Sequence, residues 1–253
     1  MSMSRGYSVL VLLFFINFFI WSYARPVQAI WVNVPPAPSY SSTVMSTLGD
    51  REMAYRAMGL MLQNLGDHGG KTRSLRDYNY SQLQGWLYLG DSLNQKSNYI
   101  PALSAYYYGG IKEPDKIKYL ADFLSVVGQR PYDTKWRWLV WSMTQYQNKI
   151  GDRQKALTLS EKLQEISYPD KPDWTYRLKA MVYFNTGEKL KAYIKLRDTL
   201  RRYHDRIDAS EEISILDFIC YELYDFSKES LICTRFSGNE SEIFVESGFD
   251  KGL

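Results

Sequence analysis

Histidine and cysteine are nearly missing from this chain, with two of each among 253 residues. His68 and His204 stand far apart and have no His or Cys companion at ligand spacing, which argues against a zinc centre. Cys220 and Cys233 make no CxxC pair. They read as two buried free thiols, with a disulfide between them as the alternative in an oxidising compartment. Acidic residues are absent from the first 49 positions, Asp50 being the first. Two of the 31 basic residues, Arg5 and Arg25, precede residue 29, so the remainder sets 29 basic side chains against all 28 acidic ones. That balance argues against a broad electrostatic footprint for nucleic acid or anionic lipid. Glycine and proline are few and scattered, and from Tyr80 to His204 no segment alternates with period two over a useful length. A sheet is therefore not expected in that region.

What is present in excess is aromatic, with 21 Tyr, 11 Phe and 7 Trp. The N-terminal part holds a compact share of them. From Val9 to Trp21 the chain reads VLVLLFFINFFIW, with Asn17 its one polar residue and Tyr7, Trp21 and Tyr23 at its ends. Rings of this kind favour the headgroup level of a bilayer. Residues 7–23 with their flanks make about nineteen residues, near the lower limit for a hydrocarbon core of ~30 Å. They are expected to form one transmembrane helix. Arg5 and the amino terminus against Arg25 orient it with the bulk of the chain outside, in the bacterial periplasm. Val27-Gln28-Ala29 also fits the small-residue pattern of signal-peptide cleavage, so secretion after Ala29 is the alternative. Residues 30–44 contain Pro35-Pro36-Ala37-Pro38 and read as a stiff spacer holding the next domain off the bilayer. Residues 45–226 form the domain, and 227–253 a tail in which Ile243-Phe244-Val245 is a short strand or part of a disordered end.

Within the domain, Asp50 is placed as the N-cap of a helix whose apolar stripe comprises Met53, Ala54, Met58, Met61, Leu62 and Leu65, ending at Gly66. Helix-period segments follow from Tyr80 to His204, separated by short glycine or proline breaks. A last amphipathic helix spans Glu211 to Phe226. Set on a frame of ~34 residues starting at Leu83, Trp86, Leu89, Gly90, Tyr99, Ala102, Tyr106 and Pro114 fall on signature positions. This stretch resembles a tetratricopeptide repeat. A frame starting at Asp173 aligns Ala180, Tyr183, Gly187, Ala192, Leu196 and Leu200, and one starting at Arg137 aligns Gly151, Asp152 and Ala156 but has Thr144 and Gln147 at off-pattern positions. Residues Ile117 to Trp136 do not fit the spacing and are expected to form an extra helix or a phase break between units. The resemblance implies an all-α fold of stacked helical hairpins, a tetratricopeptide-like solenoid, behind the transmembrane helix.

The same resemblance implies a concave groove at the second, fifth, ninth and twelfth positions of each unit. In the middle unit these are Trp138, Trp141, Gln145 and Asn148. The first unit contributes Gln84, Leu87, Asp91 and Asn94, and the third Trp174, Arg177, Met181 and Phe184. Packing of the tryptophans against the extra helix is the competing reading. Catalytic patterns were sought against this background. Gly66-Asp67-His68-Gly69-Gly70-Lys71-Thr72 misses the phosphate-loop spacing by one residue and follows a helix instead of a strand, so it reads as a turn. Glu229-Ser230, Glu240-Ser241 and Glu246-Ser247 match the start of a peptidoglycan-lyase motif, but none continues as that motif requires. No catalytic residue, metal or cofactor is assigned. The expected function is to hold a protein or peptide partner, with an accessory subunit of a membrane complex or a glycan-acting enzyme as alternatives.

Overall fold

The structure is a computed structural model, and it describes residues 3–25, 33–68, 71–203, 205–227 and 233. Helix α1 is Met3–Ala24, α2 is Tyr40–Met45 and α3 is Arg51–Gln63. A two-residue antiparallel ladder then pairs Asp67–His68 with Lys71–Thr72. Helix α4 is Tyr80–Leu93, and α5 is Tyr99–Ala102, which runs on through a π turn and a 3-10 turn to Gly110. Helix α6 is Pro114–Gly128, and α7 is Trp136–Gln145 with a π turn to Ile150. The remainder comprises α8 (Arg153–Glu165), α9 (Leu178–Asn185), α10 (Lys189–Tyr203), α11 (Ala209–Tyr221) and α12 (Tyr224–Ser227). The all-α expectation holds, and α6 covers part of the 117–136 stretch that lay outside the repeat spacing.

Local chemistry accounts for the boundaries. The Asp50 carboxylate accepts the Met53 N–H at the start of α3, and Asp152 and Asp208 do the same for Lys155 and Glu211. Each carboxylate satisfies a backbone donor that the first helical turn leaves unpaired. Pro114 sits in the first turn of α6, where its missing N–H costs nothing. Gly66 has φ +89°, and a Cβ there would also collide with the Tyr78 hydroxyl. The stop at Gly66 therefore has both a conformational and a steric cause.

Apolar residues collect in three clusters that follow chain order. The first draws on residues from Val34 to Trp138, the second from Ala121 to Val182, and the third from Tyr176 to Leu223. Helices pack on their near neighbours in sequence, α6 on α7, α7 on α8, α9 on α10 and α10 on α11. Burial is thus mainly between helices close in sequence.

Several expectations change. Among the described residues no helix is long and apolar enough to cross a membrane. The proline segment does not stand free. Asn33 accepts the Asn79 N–H at 2.7 Å, Val34 is buried, and Trp86 Nε1 donates to the Pro35 carbonyl at 2.7 Å, so residues 33–37 lie along α4. Met53 and Met61 leave the core stripe, being 58% and 37% exposed. The cysteines are not free: Cys220 and Cys233 are joined, with Cα atoms 5.5 Å apart. The Val27-Gln28-Ala29 pattern, His204, the three Glu-Ser pairs and the Ile243-Phe244-Val245 segment lie outside the described residues.

The tightest joint is between α6 and α7. A Cβ at Gly128 would lie 2.5 Å from the Leu139 backbone nitrogen, and backbone cannot swing aside as a side chain does. Gly128→Ala is expected to lower stability by about 1–3 kcal/mol, read as an earlier urea midpoint at unchanged slope.

Candidate partner-binding surface

Helix α7 was expected to present Trp138, Trp141, Gln145 and Asn148 as a stripe. The structure splits them. Trp138 is buried, donates its Nε1–H to Asn98 Oδ1 at 2.7 Å, and meets the Tyr106 ring edge-on at 5.9 Å. Trp141 is half-buried, its ring lying over Gly109 so closely that a Cβ there would come within 2.7 Å of it. Gln145 is buried. Asn148 alone of the four is exposed. Trp174 in turn packs edge-on against Trp136, centroids 5.6 Å apart. Trp138, and in part Trp141 and Trp174, are thus held by contacts within the chain, with Asn98, Tyr106, Gly109 and Trp136.

The other groove residues are also engaged within the chain. Arg177 donates to Ser214 Oγ at 2.6 Å and pairs with Glu211 at 3.3 Å, whose carboxyl is pushed up by burial, with Arg177 opposing. Gln84 donates to the Tyr119 carbonyl, and Leu87 is fully buried. Asn94 is half-buried and accepts the Ser97 N–H at 3.2 Å; Met181 and Phe184 pack against the third cluster.

Asp91 belongs to something else. It is 2% exposed and takes both guanidinium nitrogens of Arg130, at 2.8 and 2.6 Å. Lys135, fully buried, donates to the Ser97 carbonyl at 2.7 Å, while the Ser97 hydroxyl accepts from Tyr55 at 2.5 Å. The same turn is held from the other side, where Thr134 N–H donates to Asp170 at 2.7 Å and Tyr168 donates to the Gly128 carbonyl at 2.5 Å. Lys162 closes it through Gln129 Oε1 at 2.6 Å. Burial pushes the Lys135 ammonium down to about 8, the Asp91 carboxylate opposing and Arg130 adding to the fall. A depressed lysine beside a carboxylate is a candidate for acid–base work. Here one of its three donors meets the Ser97 carbonyl and the side chain has no exposed surface, an arrangement that suits a structural part in the joint.

What the sequence pattern missed is an exposed set around α3 and the α5 extension. Tyr106 is 70% exposed, and Tyr99, Tyr107, Met53 and Leu60 also face solvent. Tyr99 and Tyr106 stand at repeat positions that favour packing, which concealed them. Met53 and Leu60 lie seven residues apart on the face of α3 opposite Met58 and Leu62, a spacing that a stricter helical count finds. No family model matches this chain, and no curated protein or solved structure is similar to it. Among the described residues no group of three or more His, Cys, Asp or Glu is placed to hold a metal ion.

The buried lysine has a measurable consequence. Between pH 8 and its usual 10.5 the folded chain releases the Lys135 proton while the unfolded chain keeps it, so stability rises with pH over this window. The gain is at most ~3 kcal/mol. Above pH 10 the buried hydroxyls of Tyr80 and Tyr108, raised by burial, reverse the trend because only the unfolded chain ionises them. Urea midpoints followed from pH 7 to 10 should climb more steeply in the native sequence than in Lys135→Met, where Lys171 and Lys195, also lowered by burial, leave a smaller rise.

Proposed function

We propose that this protein is an exported, membrane-tethered scaffold of tetratricopeptide-like helical hairpins that holds a protein or peptide partner. The observation that carries the reading is α1. Its described side chains from Val9 to Trp21 are all exposed, and all but Asn17 are apolar, whereas the other helices bury their apolar faces in the three clusters. An apolar surface on every side of a helix calls for hydrocarbon around it. Trp21, Tyr23 and Arg25 at the end of the apolar run suit the edge of a bilayer. The Cys220–Cys233 bond supports export, since such bonds persist in oxidising compartments such as the bacterial periplasm.

The repeat reading draws support from helix placement. The frame at Leu83 begins inside α4 and takes in α5, that at Arg137 takes in α7 and α8, and that at Asp173 takes in α9 and α10. The small residues Gly90, Ala156, Ala180 and Ala192 are buried where helices of a hairpin approach. For the partner, the proposed contact residues are Tyr106 and Trp141, which flank the buried Trp138, with Asn148 on the exposed end of the same helix. Aromatic side chains with a polar edge are the usual carriers of binding energy at such surfaces.

The test is crosslinking and mass spectrometry in native membranes. The full chain should remain in the pellet through carbonate extraction and yield one dominant protein neighbour. Tyr106→Ala with Trp141→Ala should cut capture of that neighbour by about tenfold or more with an unaltered circular dichroism spectrum. Release by carbonate sinks the tether, and undiminished capture sinks this surface.

An accessory subunit of a membrane complex is the second reading. It is favoured by Asn17, which shares one face of α1 with Leu10, Leu13, Phe14, Phe18 and Trp21. An amide at that depth seeks a partner helix, at ~0.6–2 kcal/mol for each interhelical hydrogen bond. Under that reading Asn17→Leu should lower recovery of the neighbour by about threefold or more while leaving the protein membrane-bound. Full recovery would speak for the domain surface alone.

A further inference from the structure

Charge is unevenly divided at the C-terminal end of the stack. Helix α10 carries Lys189, Lys191, Lys195, Arg197, Arg201 and Arg202 against one acid, Asp198. The following residues, 209–227, carry five acids and no base. On α10 the core side is Ala192, Leu196, Thr199 and Leu200. Leu190 and Ile194 face the other way, 53% and 44% exposed, and Arg197 and Arg201 continue their row at helical spacing. No ion pair among the described residues engages Arg197, Arg201 or Arg202. Lys195 has like-charged neighbours in Lys179 and Arg202, which add to its burial in holding its ammonium below the usual value. The face is thus two aliphatic side chains inside a crowd of cations.

The chain itself contains the complement. Residues 239–250 read NESEIFVESGFD, with Glu240, Glu242, Glu246 and Asp250, no basic residue, and Ile243, Phe244 and Val245 in the middle. They lie outside the described residues, but their point of departure is described. Cys233 is bonded to Cys220 on α11, and both pack against the third cluster, to which α10 contributes Ala192, Tyr193, Leu196 and Leu200. From Cys233 to Glu240 an extended chain reaches roughly 24 Å, against ~8–10 Å between packed helix axes. Adjacent α11 is acidic and repels this segment; α10 attracts it. We propose that residues 239–250 dock on the exposed face of α10, setting Ile243, Phe244 and Val245 on Leu190 and Ile194 and the flanking carboxylates on Arg197, Arg201 and the nearby lysines. The docking is independent of the tether and of the partner surface proposed above.

Zero-length carbodiimide coupling of the full oxidised chain tests the contact, using an equal mixture of 15N-labelled and unlabelled protein. Amide links from Glu240, Glu242 or Glu246 to Lys189, Lys191 or Lys195 should form within one chain and fall away near 1 M salt, where charges are screened beyond ~3 Å. Hydroxyl-radical footprinting provides the second readout. Oxidation at Leu190 and Ile194 should rise about threefold or more in the E240K/E242K/E246K variant, as attraction becomes repulsion. Links joining labelled to unlabelled chains would overturn the proposal in favour of a second copy as occupant. Protection of Leu190 and Ile194 that arises only with vesicles of 3:1 phosphatidylcholine and phosphatidylglycerol would overturn it in favour of a lipid surface. Equal footprints in the two proteins, without vesicles, would also refute it.

Discussion

The bidentate pair of Asp91 and Arg130 is the interaction on which the stack turns. Asp91 is almost wholly buried, and a carboxylate so placed is strongly destabilising unless a cation and its donors surround it. Arg130 meets both oxygens, tying α4 to the end of α6. Lys135 adds a second buried charge, anchored on the Ser97 carbonyl before α5. Because Tyr168, Asp170 and Lys162 grip the same turn from the far side, one short segment joins the first apolar cluster to the second. Apolar packing supplies the bulk of the stability, as area burial does in any domain. The polar joint specifies which helices meet, since only one arrangement satisfies all of its charges.

A second constraint comes from the N-terminal end. Helix α1 shows its apolar side chains on every side, while residues 33–37 are fastened to α4 by Asn33, Val34 and Trp86. The proline segment therefore acts as part of the domain rather than as a rod between domain and bilayer. At the opposite end, the Cys220–Cys233 bond pins the chain beside α11. The fold is thus held at its two margins by different chemistry, hydrogen bonding at one and a covalent bond at the other.

Much of the fold was legible in residue order. Asp50, Asp152, Asp208, Pro114, Gly151 and Gly187 mark helix ends through backbone requirements that are local, and local requirements survive any tertiary setting. The misplacement of several residues as core or groove has a different origin. Met53 and Met61 are hydrophobic, but Met53 sits off the face that Ala54, Met58 and Leu62 define and Met61 at its edge. Trp138 and Asp91 sit on a helical face that the repeat frame would open to a ligand, but the α5 extension and the Arg130 turn cover them. Helical period tells which residues share a face, and it is silent on what lies against that face.

Composition and spacing alone determined an all-α chain, an apolar N-terminal helix, a basic stretch followed by an acidic one near the C-terminus, and a near balance of charge overall. These follow from short-range rules: period, capping, and the order of residues along the chain. Only the tertiary structure decided that Asp91 and Lys135 form a buried joint, that the proline segment is docked, and that the cysteines pair. Each depends on residues distant in sequence being brought within a few ångströms. Such proximity is a property of the packed chain, because a charge has no partner, and a thiol no neighbour, until the helices between them have stacked.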